Sequence, residues 1–228
     1  MLRGIVERLV RNRRIKRRLP NGVEIYVSPD SQLKYLRRTF DVDLIQLAAE
    51  WVTPESCVWD IGANCGVFAF SCIGARQIVA VEADPFLCNL LIDSAALGGR
   101  DVDVVAAAIS GSPGLAGFSI AQRGRASNHL STAGGRSQAG GSRGRLTVPI
   151  VTLDDLLTRF SAPSFVKIDV EGAEVGVLQG GRRILEECRP IIYFEADDDT
   201  YVACADILKT AGYRIAPGTG MNWIASPA

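Results

Sequence analysis

The 228-residue sequence predicts an α/β fold in which helices flank a mostly parallel sheet. From Cys57 onward, short apolar runs alternate with stretches of helical periodicity, which is the order of successive βαβ units. The length suits one such domain with a large core and is short for two. An early apolar run also leads into a glycine turn and a helix, as in nucleotide-binding α/β units. We therefore expect a doubly wound, Rossmann-like sheet over residues 54–228, preceded by a short α/β extension over residues 1–53.

The extension begins with a strongly basic segment. Residues 2–19 carry arginines and lysines against the single acid Glu7, and apolar residues recur at helical spacing from Leu2 to Val10. This pattern predicts a basic amphipathic helix. Such a helix either packs on the domain with a solvated charged face, or contacts an anionic membrane or an acidic partner through residues 1–19. A short strand at 23–27 and a helix at 36–51 are expected to follow.

Strands and helices are expected to alternate through the main domain. The strands are predicted at residues 58–60, 78–81, 102–106, 165–169 and 190–195. The helices are predicted at residues 67–73, 86–97, 173–185 and 201–211. Short strands at 213–215 and 222–224 flank a Pro-Gly-Thr-Gly turn and suit a closing antiparallel hairpin.

One segment, residues 119–147, breaks this alternation. It is rich in Gly, Ser and Arg, and its part from 121 to 145 contains no acidic residue. A segment of this composition buries too little apolar surface to order itself, so we expect a flexible surface loop. The alternative is a lid that closes over substrate, with its arginines, among them Arg136, meeting an acidic or phosphorylated group.

Two neighbouring motifs indicate a nucleoside pocket. Residues 58–66 read Val-Trp-Asp-Ile-Gly-Ala-Asn-Cys-Gly, and Glu82 closes the next strand. An acid about 20 residues beyond such a turn reaches a ribose diol. The turn is Gly62-x-x-x-Gly66 and lacks the glycine spacing that a dinucleotide pyrophosphate needs, which disfavours a nicotinamide-dependent oxidoreductase. A nucleoside without phosphates fits better, and S-adenosylmethionine (SAM) is the candidate.

A second motif places charged residues at the end of a buried strand. Residues 165–174 read Phe-Val-Lys-Ile-Asp-Val-Glu-Gly-Ala-Glu, with Lys167, Asp169 and Glu171 at alternate positions and therefore on one side of the chain. Ligands of open α/β sheets bind beyond the carboxyl ends of the strands. The structural alternative is that Asp169 caps a helix and Glu171 is an acid of its first turn.

Together these strings resemble the FkbM family of SAM-dependent methyltransferases. Its discriminating parts here are Lys167-Ile-Asp-Val-Glu-Gly-Ala-Glu174 and Val151-Thr-Leu-Asp-Asp-Leu156. The other matching strings are the glycine turn, Val81-Glu-Ala-Asp-Pro85, Ala107-Ala-Ile-Ser110 and Arg189-Pro190 with Glu195, and the match covers about residues 54–195. The resemblance implies the sheet of class I SAM methyltransferases and O-methylation of a hydroxyl on a small molecule, sugar or glycoconjugate. A methyltransferase acting on N or on a macromolecule, or a SAM-binding protein without catalysis, is the alternative.

The resemblance also implies site residues. The expected cofactor-binding residues are Asp60, Gly62, Ala63, Asn64, Gly66, Glu82, Ala83, Ala108, Ile109 and Asp169. Glu171 is the first candidate for the general base that deprotonates the acceptor hydroxyl, and Asp169 would orient the acceptor or hold the cofactor. The only histidine, His129, is a second base candidate or an exposed bystander. Mg²⁺ held by Asp169 and another acid is kept as an alternative, although no multi-carboxylate cage is evident.

Composition adds weaker expectations. The formal net charge is zero, so bulk charge does not mark a nucleic-acid binder. The six cysteines are scattered through apolar segments without a CxxC pair, which favours reduced thiols and a cytoplasmic location. No apolar run approaches the roughly 20 residues that span a bilayer, and the N-terminus lacks the apolar stretch of a secretory signal. None of these features predicts the oligomeric state.

Overall fold

The structure, a computed structural model, describes residues 2–99, 101–131 and 140–228, with side chains from residue 6 onward. Arg136 of the predicted loop and the side chains of Leu2 and Ile5 lie outside the described residues. The helices are α1 (Leu2–Leu9), α2 (Val42–Trp51), α3 (Val67–Ser71), α4 (Pro85–Leu97), α5 (Glu174–Gln179) and α6 (Asp198–Thr210). The strands are β1 (Ile15–Arg18), β2 (Glu24–Val27), β3 (Cys57–Ile61), β4 (Gln77–Glu82), β5 (Asp103–Ala106), β6 (Ala108–Ile109), β7 (Gly114–Ala121), β8 (His129–Leu130), β9 (Ser142–Val151), β10 (Phe165–Ile168), β11 (Ile191–Glu195), β12 (Tyr213–Pro217) and β13 (Asn222–Pro227).

A seven-stranded sheet in the order β12-β13-β11-β10-β3-β4-β5 forms the centre of the molecule. Strands β5, β4, β3, β10 and β11 run parallel, and β13 is antiparallel to both β11 and β12. The predicted Rossmann-like fold class is confirmed, and the closing hairpin occurs where the turn residues placed it. Strands β10 and β11 enter the sheet beside β3, so the order reverses at β3, and this is where open α/β sheets bind ligands.

Apolar layers cover both faces of this sheet. Every residue of β3 is buried, as expected for a central parallel strand. Its side chains alternate between the two layers: Val58 packs with α2, α3 and α4, whereas Trp59 and Ile61 pack with α5 and α6. The layers fix the positions of the strand ends, and these ends carry the charged motifs.

The N-terminal extension differs from the prediction. A helix occupies only Leu2–Leu9, and residues 15–18, expected to continue the basic helix, form a strand antiparallel to β2. Along β1, half-buried Ile15 and Arg17 alternate with exposed Lys16 and Arg18, which is the period of a strand. Val23, Ile25 and Val27 share the core that α3 and α4 cover, so the extension packs as part of the main domain.

A second sheet, in the order β6-β9-β7-β8, takes up both ends of the predicted irregular loop over residues 119–147, together with residues 129–130 within it. Strands β7 and β9 form a long antiparallel pair, and β6 runs parallel to β9. The expectation of a flexible surface loop is wrong for the strands within the described residues 119–131 and 140–147. The reason is that apolar side chains of β7 are buried in a small core. Phe118, Ile120, Leu130 and Val148 form a small core against Ala108 and Ala173.

Two element boundaries also moved. The helix predicted over 173–185 ends at Gln179, and a π-helical turn follows at Ile184–Cys188. At Gly180 the backbone passes so close to the segment that carries Ser110 that an added Cβ would lie 2.3 Å from the Ser110 carbonyl oxygen. The helix predicted from residue 36 begins at Val42, after Asp41 at φ +46°. In the described part of the chain, no helix is long and apolar enough to cross a bilayer.

Candidate active site

A cavity of about 290 Å³ lies at the carboxyl ends of β3, β4, β10 and β11. The extension and the second sheet close it from above. One half, here called the nucleoside half, is lined by Gly62, Asn64, Glu82, Ala83, Ala107, Ala108, Ile109, Phe118, Asn128 and Leu130. The other half, the acceptor half, is lined by Lys34, Asp41, Asp43, Asp169, Glu171, Tyr193, Glu195 and Asn222. The structure thus brings the two sequence motifs into one cavity.

The glycine turn joins the two halves. Gly62 has φ +77°, and its N–H donates to the Val81 carbonyl at 3.0 Å. A Cβ at residue 62 would lie 1.9 Å from the carbonyl oxygen of Asp169, so only glycine allows these two backbones to touch. Asn64 has φ +53°, which asparagine tolerates. Ala63 and Gly66 were predicted to contact the cofactor, but they do not line the cavity; Gly66 packs against Leu91 and Phe70.

Glu82 is held in place by the backbone around it. One carboxylate oxygen accepts the N–H of Asn64 at 2.8 Å, and the other accepts the N–H groups of Ala83 and Asp84, each at 2.8 Å. The side chain lines the cavity although the residue is only 7 % exposed. Burial raises the pKa of Glu82 to about 7, against the lowering effect of these hydrogen bonds. The carboxylate is therefore a fixed hydrogen-bond acceptor at the floor of the nucleoside half.

An apolar wall faces Glu82. Ala108 and Ile109, both buried, contribute from β6, as the sequence predicted. Phe118 and Leu130 contribute from β7 and β8, which the sequence did not predict. The available signal was the two-residue alternation of apolar side chains in Phe118-Ser-Ile-Ala, hidden within a Gly- and Arg-rich composition. This wall suits a flat aromatic ring.

Asp60 lies beneath the cavity and does not line it. It is fully buried; one carboxylate oxygen accepts from Lys167 Nζ at 3.0 Å and the other from the Ala69 N–H at 3.2 Å. Lys167 Nζ also lies 3.6 Å from an Asp169 carboxylate oxygen. Although burial disfavours its charge, Asp60 and Asp169 hold the pKa of Lys167 above its usual value. Asp60 thus binds the ammonium group that also lies beside Asp169, and its predicted contact with a cofactor stays a prediction.

The turn after β10 presents both candidate catalytic acids. Asp169 follows the strand, and its N–H donates to the Ile61 carbonyl at 3.0 Å. Glu171 has φ +54° and is followed by Gly172 at φ +97°. Glu174, fully buried at the start of α5, accepts the N–H groups of Val170 at 3.3 Å and Gly172 at 3.1 Å. Sequence reasoning gave Glu174 no role, yet its carboxylate fixes the turn.

The helix-cap alternative for Asp169 does not hold. The N-cap position of α5 is Ala173, without a side-chain cap bond, and the first-turn acid is Glu174. Asp169 and Glu171 both line the cavity. Both residues therefore lie where they could contact a molecule bound in the cavity, and their catalytic roles stay predictions.

His129 lies outside the cavity lining. Its neighbours Asn128 and Leu130 line the cavity, and side chains of a strand alternate between its faces. The Nδ1 atom of His129 is 3.1 Å from the Ser127 carbonyl oxygen. The structure therefore does not support His129 as a base in this site.

The acceptor half is enclosed by residues to which the sequence analysis gave no role in the site; of these, only Glu195 lies in a string that carried the family resemblance. Tyr193 and Glu195 come from β11, Asn222 from β13, and Asp41 and Asp43 from the extension. Burial, together with the nearby carboxylates of Asp43, Asp169 and Glu195, raises the pKa of Tyr193 to about 12, against the lowering effect of Lys167. The phenol is therefore a hydrogen-bonding group and not a base at neutral pH.

A cluster of four charged residues, here called the roof cluster, closes the nucleoside half. Asp30 accepts two hydrogen bonds from Arg143, both at 2.7 Å, and one from Arg125 Nε at 2.9 Å. Arg125 also pairs with Asp84 at the start of α4. Although burial disfavours its charge, the bonds from Arg143 and Arg125 hold the pKa of Asp30 below its usual value. Two arginines of the predicted lid, Arg125 and Arg143, thus meet acids of the chain itself.

No group of three or more His, Cys, Asp or Glu residues suited to a metal ion occurs within the described ranges.

Comparison with known proteins identifies a family that the chain matches. Residues 60–215 match the model of the methyltransferase FkbM domain. The hexuronic acid methyltransferase AglP of Haloferax volcanii is 27 % identical over 155 residues, which make up 66 % of this chain and 60 % of AglP. The chain therefore matches only about three fifths of that relative's length.

Solved structures show the same fold at low identity. Methyltransferase FkbM from Methylobacillus flagellatus KT superposes with a TM-score of 0.54 at 18 % identity, covering 76 % of this chain and 44 % of that one. The Thermus thermophilus 16S rRNA N2 G1207 methyltransferase gives a TM-score of 0.54 at 10 % identity, covering 95 % and 50 %. Since one of these proteins acts on RNA, the shared fold does not determine the acceptor.

Proposed function

The chain belongs to the FkbM methyltransferase domain family, and from that premise we propose that it transfers a methyl group from SAM to a hydroxyl of a sugar, glycoconjugate or other small molecule. The relative that acts on a hexuronic acid favours a saccharide acceptor over a nucleic acid. The observation that carries the proposal is the single cavity that Glu82 lines at one end and Asp169 with Glu171 at the other.

The nucleoside half fits SAM. The Glu82 carboxylate offers two acceptor oxygens for a ribose diol, and the wall of Ala108, Ile109 and Phe118 offers an apolar surface for adenine. Asp169, adjacent to the glycine turn, is placed for the positive amino group of the methionine portion. When bound, SAM supplies an electrophilic methyl group. Gly62 and Asn64 complete this half of the site.

The residues of the acceptor half would position and deprotonate the hydroxyl. Tyr193, Glu195 and Asn222 supply hydrogen-bonding groups that can hold a polyol in one orientation, and orientation is a major part of catalysis in such transfers. Glu171 is the proposed general base, because it lines the cavity on a turn that Glu174 fixes. The roof cluster covers the nucleoside half through Arg125, which lines the cavity. The proposed proton transfer goes from the acceptor hydroxyl to the Glu171 carboxylate.

An assay for S-adenosylhomocysteine formation tests the proposal. The purified chain is incubated with SAM and a metabolite extract of the producing organism, and methylated products are identified by mass spectrometry. We expect a product carrying one extra methyl group on oxygen. Methylation of a nitrogen atom or of nucleic acid would contradict the proposal, and SAM binding without any turnover would indicate a silent binding protein.

We also infer a cytoplasmic location. The six cysteines are free, and five of them are buried. Buried thiols without disulfides suit a reducing compartment. Fractionation of the producing cells tests this inference, and recovery in an oxidising compartment would contradict it.

A further inference from the structure

Asn128 is a buried polar residue of the nucleoside half to which the sequence analysis gave no role. It lies between the short helical turn Arg125–Ser127 and β8. The residue is 8 % exposed, and it lines the cavity. A carboxamide in such a place is costly unless its polar groups form hydrogen bonds. The bonds that it forms therefore show what it can still offer to a ligand.

Two hydrogen bonds fix the orientation of the Asn128 carboxamide. Its Oδ1 accepts the N–H of Ala121 at 2.9 Å, and its Nδ2 donates to Oδ2 of Asp84 at 2.8 Å. The reversed carboxamide would place two donors together at Ala121 and two acceptors together at Asp84, so the partners allow only one orientation. Arg125 of the roof cluster pairs with the same oxygen of Asp84, which holds this acceptor in place.

One hydrogen-bond donor of Asn128 is left over. A primary carboxamide carries two N–H groups. Within the part of the chain that the structure describes, the Asp84 oxygen is the only acceptor that Nδ2 reaches. A buried donor without an acceptor is unfavourable, and a ligand that supplies the acceptor removes this cost.

The surroundings of Asn128 indicate which kind of acceptor fits. Phe118 and Leu130 line the same half of the cavity, and together with Ala108 and Ile109 they form the apolar wall that suits a flat ring. A hydroxyl or an ammonium group gains little from such a wall. Adenine combines flat apolar faces with ring nitrogens that accept hydrogen bonds at its edge. It therefore satisfies the wall and the remaining N–H at once.

We propose that Asn128 donates its second N–H to a ring nitrogen of the adenine of SAM and so determines which base the cofactor site accepts. The inference rests on the proposed function and adds a specificity-determining residue to it. It also gives the second sheet a part in cofactor recognition, because Asn128 directly precedes β8 and is bonded to the end of β7. A site built around such a donor rejects an analogue that lacks the matching acceptor.

Deaza analogues of S-adenosylhomocysteine test the proposal. This product form of the cofactor carries the same adenosyl group, and in its 1-deaza, 3-deaza and 7-deaza analogues a C–H replaces one ring nitrogen. By calorimetry, one of these analogues should bind the unaltered chain roughly 10-fold more weakly than S-adenosylhomocysteine. Asn128→Ala should bind S-adenosylhomocysteine roughly 10-fold more weakly and no longer distinguish it from that analogue. Asn89→Ala, at an exposed position of α4, is the matched control and should keep the discrimination.

The outcomes separate this inference from the proposed function. Equal affinity of the unaltered chain for all four compounds overturns the inference and leaves cofactor binding standing. Discrimination that persists undiminished in Asn128→Ala also overturns it. Failure of the unaltered chain to bind S-adenosylhomocysteine overturns both.

A second measurement needs no variant, since Asn128→Ala also removes the acceptor of the buried Ala121 N–H and can fail to fold. The full chain labelled with ¹⁵N is saturated with S-adenosylhomocysteine whose adenine carries ¹⁵N. A nuclear magnetic resonance coupling across the hydrogen bond, between Nδ2 of Asn128 and a ring nitrogen, supports the inference. The absence of this coupling in the saturated complex overturns it.

Discussion

Glu82 is a carboxylate that the fold buries and then holds with three backbone N–H groups. Its raised pKa, about 7, means that between its ordinary value of 4.5 and pH 7 the folded protein binds a proton that the unfolded chain does not. The contribution of Glu82 to the free energy of unfolding therefore falls as pH rises through this window and is lowest above it. The charged form is the better acceptor for a ribose diol.

We expect SAM affinity to fall as the pH is lowered from about 8 to about 6, because protonated Glu82 accepts hydrogen bonds poorly. Calorimetric titrations across this range measure the effect. Glu82→Gln should bind SAM more weakly at pH 8 and lose most of this pH dependence. If Glu82→Ala binds SAM as tightly as the unaltered chain, the ribose assignment is wrong.

Glu171→Gln should lower kcat by roughly 10²–10⁴-fold, the usual contribution of a general base, and leave SAM binding within about twofold. The amide keeps the shape of the side chain and removes its basicity. Turnover measured by S-adenosylhomocysteine release, with SAM affinity measured in parallel, separates these effects. Undiminished turnover would exclude Glu171 as the base.

Glu174→Ala should lower kcat and the free energy of unfolding together, since two buried N–H groups lose their acceptor at a cost of about 1–3 kcal/mol each. Glu174→Gln keeps one amide oxygen for the Val170 and Gly172 N–H groups and should recover part of the turnover. A role confined to stability would appear as loss of unfolding free energy with normal kcat in the folded fraction.

At the scale of elements, the roof cluster ties the extension to the second sheet and to α4. Arg143→Met leaves Asp30 without its bidentate partner and should cost about 3 kcal/mol, the usual loss when one member of a buried pair is removed. For a chain of this size that is a fall in Tm of roughly 6–12 °C. Arg145→Met, at an exposed position of the same strand, is the control. Equal effects of both variants on Tm would show that the cluster is not stabilising.

Elements differ in how far their sequence predicts them. Strands β3, β4 and β10 are largely apolar runs between turn residues, and their predicted bounds agree with the structure within one residue at each end. Strand β1, in contrast, reads Ile-Lys-Arg-Arg and has only one apolar residue. It forms a strand because it pairs with β2, which follows after a turn. Composition alone could not show that Lys16 and Arg18 meet Glu24 across the pair.

The second sheet was missed for a related reason. Arginines without neighbouring acids indicate a solvated loop when only the local sequence is considered. Here the acids that balance Arg125 and Arg143 come from positions 30 and 84, far away in the chain. Long-range charge pairing of this kind leaves no local pattern.

At the scale of the whole molecule, the extension and the main domain share one core, and this predicts how truncations behave. Removing residues 2–9 deletes only α1 and should leave folding and SAM binding intact. Removing residues 2–18 also deletes β1 and the Asn12 N–H that donates to Asp30 at 3.1 Å. The longer deletion should lower Tm by roughly 10 °C or more, because a few kcal/mol form a large part of total stability.

Thermal unfolding and calorimetry of the two truncated chains measure these effects. If the longer deletion leaves Tm unchanged, β1 is an accessory to the fold. If the shorter one abolishes folding, α1 has a structural role that its exposed Leu9 does not suggest. Sedimentation of the shorter chain with anionic vesicles tests the predicted membrane contact of the basic segment.

The sequence predicted those residues of the candidate site that lie at or just beyond the carboxyl ends of the parallel strands. Glu82, Asp169 and Glu171 were identified because parallel strands bring their carboxyl ends to one edge. Asp60 also lies near the carboxyl end of its strand, but its side chain is buried beneath the cavity. The sequence could not show this, because it depends on the contact of Asp60 with the buried Lys167. Tyr193, Asn222 and Asp43 come from segments without a motif, so their place in the cavity depends on the completed fold.

The contact between Gly62 and the Asp169 carbonyl has a consequence for engineering. The two halves of the single cavity meet at an inner wall formed by the backbones of Gly62 and Asp169, and any side chain at position 62 would push these two turns apart. New acceptor preferences cannot be introduced from that inner wall without disturbing the donor. Substitutions meant to widen the substrate range belong on the outer walls, at positions such as Asp43 and Asn222, which line the cavity away from this contact.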